Sequence, residues 1–368
     1  MQPSHLNPAI GATIDDIDTP CLLLDLDIFE ANVRQISDYC SAHGVQWRPH
    51  AKSHKCPDIA RKIIAAGAIG LTCAKLGEAE VMAEAGIRDL LIANPLASPI
   101  KVRRLAALRE VADPIALVDH ADHVAILAAS LPPSRPVRVL IEIDIGMNRC
   151  GVPPGAPAVA LARLIAAVPA LEFAGIMGYE GHLLMLDDPT EKQERIAKSI
   201  GLLAQTKQAL EQSGIPCSIV SAGGTGSFEI SALQPGLTEI QAGGGIFMDL
   251  FYRQACHVGR LDYALTILAA VTSLPAPDRA IIDAGRKTMN QELHVPQIQG
   301  RDELRIKGLS AEHGVLEVTS GPGPRIGDKI RIIPGYGDFT TVLHDRFYCL
   351  RNGRLEAIWP LTARGRLD

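Results

Sequence analysis

The sequence predicts an α/β protein: a (β/α)8 barrel over residues 21–258, a β domain over residues 259–368, and a lead-in at residues 1–20. Three observations carry this. Eight short apolar runs recur along the first two thirds of the chain, most of them separated by stretches with helical spacing. These runs are largely apolar and mostly do not alternate, as in parallel strands buried on both faces. Beyond residue 258 the texture changes to short strand-like runs set off by turn residues.

The elements follow in order. The strand runs fall at 45–50, 69–73, 89–94, 114–118, 137–144, 171–178, 217–221 and 237–241. Helical stretches fall at 57–66, 76–85, 100–111, 121–129, 156–167 and 191–213. Alternation of this kind fits a closed barrel. An open doubly wound sheet would carry Gly-x-Gly-x-x-Gly in its first βα turn, and this chain does not. The tail runs fall at 264–274, 279–284, 304–306, 315–318, 329–333, 347–351 and 354–359. Asn352-Gly353, between the last two, is a hairpin signal. The polar opening, with its Pro and Gly, reads as a loosely packed lead-in. It lacks the basic-then-apolar order of a signal peptide.

Composition narrows the function. Thirty-six Lys and Arg against 41 Asp and Glu give a net charge of -5, which argues against a nucleic-acid binder. No apolar run is long enough to span a membrane. The eight cysteines are widely spaced and none form Cys-x-x-Cys. They read as free thiols of a reducing cytoplasm, not a disulfide or zinc framework.

Four constellations stand where barrel enzymes place their chemistry, at the C-terminal ends of strands. Arg48-Pro49-His50-Ala51-Lys52 ends the first run, and a lysine desolvated there can act as an amine nucleophile. A basic solvated loop is the plainer alternative. Ser221-Ala222-Gly223-Gly224-Thr225-Gly226-Ser227 follows the seventh run, and Gln241-Ala242-Gly243-Gly244-Gly245 follows the eighth. Glycines let backbone N–H groups approach an anion, and barrels often hold a phosphate at these two positions. Arg149, after the fifth run, could meet a ligand's anionic oxygen or pair with a carboxylate such as Asp144. Tyr179-Glu180-Gly181-His182, after the sixth, gathers a phenol, a carboxylate and an imidazole suited to acid/base work.

In this order the pieces resemble the D-threonine aldolase/D-serine dehydratase family, whose members have the alanine-racemase fold of a barrel plus a β domain. The resemblance runs from Thr19-Pro20-Cys21 to Ala363-Arg364-Gly365, and Asp283-Ala284-Gly285 and Glu312-His313-Gly314 look like further landmarks. It implies pyridoxal 5'-phosphate, with Lys52 forming the Schiff base and Arg149 at the phenolic oxygen. His50, Tyr179 and Ser221 would contact the cofactor. Gly224, Thr225, Gly243 and Gly244 would cradle its phosphate. It also implies a homodimer acting on a small D-amino acid.

The implied activity is a lyase acting on D-3-hydroxy amino acids, first by retro-aldol cleavage to glycine and an aldehyde. Dehydration to a 2-oxo acid and ammonia comes second, and racemisation third. A catalytically silent cofactor-binding protein is the reading from another class, and the two-domain length argues against it. One departure stands out. The family's Pro-x-His-x-Asp or Pro-x-His-x-Cys segment, which binds a divalent metal (Mn, Mg or Zn), is Pro334-Gly335-Tyr336-Gly337-Asp338 here. Asp338 is kept and the His position is Tyr336. Two further departures are Met185, where aldolases of the family tend to carry His, and Gly244-Gly245, where Ser-Tyr is usual. Glu180 and His182 are the candidates to take over both jobs, completing a metal site with Asp338 and acting in place of the missing His.

Overall fold

The computed structural model describes residues 8–368. It divides into two compact units, one of residues 35–243 with 363–368, the other of residues up to 34 with 244–362. Strand β1 (Cys21–Asp25) and helix α1 (Leu26–Ala42) open the chain.

The first unit is the barrel. Its eight parallel strands are β2 (Gln46–Trp47), β3 (Leu71–Cys73), β4 (Asp89–Ile92), β5 (Asp113–Val118), β6 (Val137–Glu142), β7 (Leu171–Met177), β8 (Ile219–Ala222) and β9 (Glu239–Ile240). They run side by side in the order β2-β9-β8-β7-β6-β5-β4-β3. A parallel bridge between His50 and Thr72 joins the two outer strands. Ile69 N and Thr72 N reinforce it by donating to Trp47 O and Pro49 O, each at 2.9 Å. Each expected run is present as a strand. Helices α2 (Pro57–Ala65), α3 (Leu76–Glu84), α4 (Pro99–Leu108), α5 (Ala121–Ala128), α6 (Ala156–Ala166) and α7 (Pro189–Gln212) alternate with them. The start of α7 shows why it begins there: Asp188 accepts from Glu191 N at 2.8 Å and Pro189 takes the first helical position. Leu91, Ile115, Leu117, Leu140, Ala174 and Met177 pack as a buried cluster among the strands. Arg48, 2% exposed, bonds Glu239 at 3.0 Å and Asp89 at 2.7 Å. Ions this deeply buried survive only when hydrogen-bonded, so the network ties the residue after β2 to β9 and β4.

The second unit holds the antiparallel sheet. Strand β10 (Leu265–Ala276) pairs with β11 (Arg279–Ile282), which pairs in turn with β14 (Gly314–Val318) and through it β13 (Leu304–Leu309). β15 (Lys329–Ile333) joins β10 to β12 (Gln297–Ile298). β16 (Arg346–Arg351) and β17 (Arg354–Pro360) form the expected hairpin, with Asn352 and Gly353 both at positive φ.

Two boundaries differ from the sequence reading. β1 pairs antiparallel with β10 and parallel with β16, so it belongs to this sheet and not to the barrel. Its apolar Cys-Leu-Leu-Leu run, followed by a helix, has the same local signature as a barrel βα unit. Composition therefore could not assign its sheet. The described part of the lead-in is also tied down. Gly11 N donates to Leu355 O at 2.8 Å, Lys329 Nζ caps the carbonyls of Ile14, Asp15 and Ile17, and Ile17 is fully buried. Residues 1–7 of that lead-in lie outside the described residues.

Candidate active site

Lys52 lies on the single helical turn Ala51–Ser53 after β2, half-buried. His50 caps that turn, its Nδ1 3.4 Å from the Lys52 backbone N–H. Burial holds the His50 pKa well below its ordinary value, and the charges of Lys52, Lys55, His54 and Arg149 push it the same way. His50 is thus a neutral imidazole that accepts on Nδ1 and carries its proton on Nε2. Its backbone crosses directly over Gly243, where any Cβ would run into the His50 main chain. Lys55 is three residues further on, but its Nζ sits 2.9 Å from Glu78 Oε1 and both groups are buried. Lys287 is exposed and paired with Glu312 at 2.7 Å. Lys55 and Lys287 are thus each held on a carboxylate, and Lys52 lies on the turn that follows β2.

Arg149 reaches the rim from the loop after β6. Asp144 Oδ1 shapes that loop by accepting from Gly146 N at 2.9 Å and Asn148 N at 3.1 Å. Arg149 itself does not pair with Asp144. Its guanidinium lies 5.8 Å from the Tyr179 ring centroid and 3.4 Å from Glu142 Oε1. Burial raises the Glu142 pKa while Arg149 opposes the shift. The Tyr179 ring is wedged between two glycines. A Cβ on Gly224 would stand 3.0 Å from its Cε2, and one on Gly181 would collide with the other edge.

Glu180 and His182 diverge. Glu180 is fully buried, and Oε1 accepts from Ser227 Oγ and Ser231 Oγ, each at 2.6 Å. Gly223 N completes the set at 3.4 Å. Its lone pairs are engaged inside the protein, which speaks against the expected acid/base role. His182 is exposed beside Gly146 and lines a groove of about 220 Å3 with Arg195, Lys198 and Ser199. Ser221 is buried, its hydroxyl accepting from Gln241 Nε2 at 2.8 Å. Gln241 and Ser227 stand in the two glycine loops quoted from the sequence but were given no role there, and Ser231 was not singled out. The Gly224 amide donates to Ser227 Oγ at 3.1 Å, and Thr225 is buried beside it.

Gly244, Tyr336 and Asp338 belong to the other unit. There the Tyr252 ring packs so closely on Gly244 that no Cβ would fit. An amine, a guanidinium and hydroxyl-bearing glycine loops whose backbone only glycine can supply suit an anionic aldehyde. These donors fit pyridoxal phosphate. The 334–338 segment does not fit a divalent metal. Tyr336 donates its hydroxyl to Asp338 Oδ2 at 3.0 Å, and its ring packs edge-on against Phe251, Tyr252 and Phe339. Beside it, Asp249 is spent on Tyr252 N at 2.8 Å and Gly337 N at 2.7 Å. Among the described residues no group of three His, Cys, Asp or Glu side chains is placed to hold an ion. A phenol bonded to one carboxylate is a poor donor set for Mn, Mg or Zn.

Comparison with known proteins follows the same lines. The alanine racemase N-terminal domain matches residues 24–250, and a putative serine dehydratase domain matches residues 264–350. D-threonine aldolase of Arthrobacter sp is 39% identical over 96% of this chain and 95% of its own. The 3-hydroxy-D-aspartate aldolase of Paracoccus denitrificans (strain Pd 1222) is 36% identical over 98% and 95%. The crystal structure of D-threonine aldolase from Filomicrobium marinum superposes with a TM-score of 0.94 at 38% identity, covering 98% of this chain and all of that one. No helix among the described residues is long and apolar enough to cross a membrane. The chain belongs to the D-threonine aldolase/D-serine dehydratase family, with an alanine-racemase N-terminal domain followed by a serine dehydratase domain.

Proposed function

We propose that this protein is a pyridoxal-phosphate-dependent lyase that cleaves D-3-hydroxy amino acids into glycine and an aldehyde. The observation that carries the reading is the full-length likeness to two aldolases of such substrates, with the Lys52 turn and the glycine loops on one barrel rim. When bound, the cofactor supplies an electron sink for a bond broken at Cα. Lys52 Nζ is the amine that would hold it covalently. His50, neutral, caps the turn that carries Lys52 without adding a second positive charge. Arg149 offers its guanidinium to an anionic oxygen at the rim. The Tyr179 ring, held between Gly181 and Gly224, defines one wall. Of the two expected acid/base groups, Glu180 is engaged internally. His182, exposed beside Gly146, is the remaining candidate to take the β-hydroxyl proton. The reading includes a cytoplasmic homodimer, supported by eight free cysteines, seven of them buried, and by the family resemblance.

The test is product analysis with purified protein, cofactor and D-threonine. Acetaldehyde and glycine in equal amounts are expected. Ammonia with a 2-oxo acid would make the protein a dehydratase. L-allo-threonine, the product of inversion at Cα alone, would mark a racemase. No consumption of any D-3-hydroxy amino acid would refute the reading.

A further inference from the structure

We infer that Glu180 is a positioning residue for the phosphate-binding loop, its buried carboxylate setting residues 223–231 in the conformation that receives a phosphate monoester. This rests on the reading that the glycine loop after β8 binds the cofactor's phosphate. Glu180 has no exposed surface, so it does not reach a bound substrate as an acid or base. Instead it joins three points of the loop: Gly223 N at 3.4 Å, Ser227 Oγ at 2.6 Å and Ser231 Oγ at 2.6 Å. The two hydroxyl bonds are short and charge-assisted, the strong class for an oxygen donor. Each serine hydroxyl has one proton to donate, and both donate to Glu180 Oε1. The Ser227 oxygen is thereby left as an acceptor, and it receives Gly224 N–H at 3.1 Å. Gly224 N–H, the Ser227 hydroxyl and the Glu180 carboxylate therefore form one directed chain that fixes the glycine turn.

A loop whose amides must converge on an anion loses affinity if it has to be ordered on binding. A loop ordered beforehand does not. Burying a carboxylate is costly unless it is fully hydrogen-bonded, and here two hydroxyls and an amide meet it. The opposing effect is repulsion between a fixed carboxylate and an incoming phosphate. Its charge faces hydroxyl protons, which places positive dipole ends between it and the loop. Preorganisation is therefore expected to win.

The experiment is equilibrium titration of the full chain with pyridoxal 5'-phosphate and, separately, with pyridoxal, which lacks the phosphate. Wild type, Glu180→Gln and Ser231→Ala are compared. Ser231→Ala keeps the carboxylate charge and removes one anchor, so it separates anchoring from charge and guards against misfolding of the first variant. Wild type should prefer the phosphorylated probe. Both variants should cut that preference by about tenfold, the worth of one charge-assisted hydrogen bond, with pyridoxal affinity unchanged. Amides 223–228 should also exchange hydrogen faster in both variants without added ligand. Equal losses for both probes would make Glu180 a general structural residue and overturn the inference, as would tighter binding of the phosphorylated probe. A wild type that binds both probes alike would remove the phosphate reading of the loop, and the inference with it.

Discussion

Lys52 and Lys55 share one turn and the same chemistry, yet their surroundings assign them different work. Lys55 Nζ is buried against Glu78, and removing one member of such a pair leaves an uncompensated charge. Lys55→Ala should therefore lower stability by about 3–5 kcal/mol in a denaturant titration. Lys52→Ala should abolish covalent retention of the cofactor. The sequence alone pointed to Lys52 through its motif and could not show why Lys55 is excluded. Glu78 is 23 residues away, and only the fold brings the two together. The same limit applies to Glu180. Its partners lie 47 and 51 residues downstream, so a rim carboxylate read as an acid/base group is found clasping a loop.

The barrel strands were legible because strands buried on both faces are apolar throughout, and helices between them restore a 3.6-residue spacing. β1 shows where that logic ends, since an apolar run followed by a helix does not say which sheet will receive it. Glycines divide in the same way. Gly243 has the His50 backbone lying across it, whereas a Cβ on Gly201, in the middle of α7, would meet nothing within 4 Å. Gly243→Ala should cost on the order of 1–3 kcal/mol through overpacking and loosen the Lys52 turn. Gly201→Ala should stabilise by roughly 0.5–1 kcal/mol. Paired urea titrations check both, and a Gly243→Ala protein as stable as wild type would contradict the close approach.

At the scale of the whole molecule, the unit holding the antiparallel sheet carries its own titration. Burial pushes the Asp249 carboxyl up to about 8, with the neighbouring Asp338 charge adding to the shift and the Tyr252 and Gly337 amides opposing it. Its folded pKa lies above its unfolded value near 3.8, so the folded state binds the extra proton between them. Stability from this group is full at acid pH and is lost as pH rises toward 8. Comparison of thermal midpoints between about pH 4 and pH 8 should show a decline in wild type that is flatter in Asp249→Asn. An identical slope in both would remove Asp249 as its source. The Tyr336–Asp338 pair sets a further expectation. Dialysis against EDTA should leave turnover of D-threonine unchanged, and Tyr336→His should raise bound zinc or manganese measured by mass spectrometry. Loss of activity in EDTA, restored by Mn, would show that these residues hold an ion after all. The His-to-Tyr change was visible in the sequence, whereas the aromatic packing and Asp249, 88 residues from Gly337, were not.

The central claim, that Lys52 is the amine through which this chain does its chemistry, is tested most directly by borohydride reduction of the cofactor-loaded protein followed by peptide mapping. A single cofactor adduct on the peptide carrying Lys52 is the predicted result. An adduct on Lys55 or Lys287, or none at all, would contradict it.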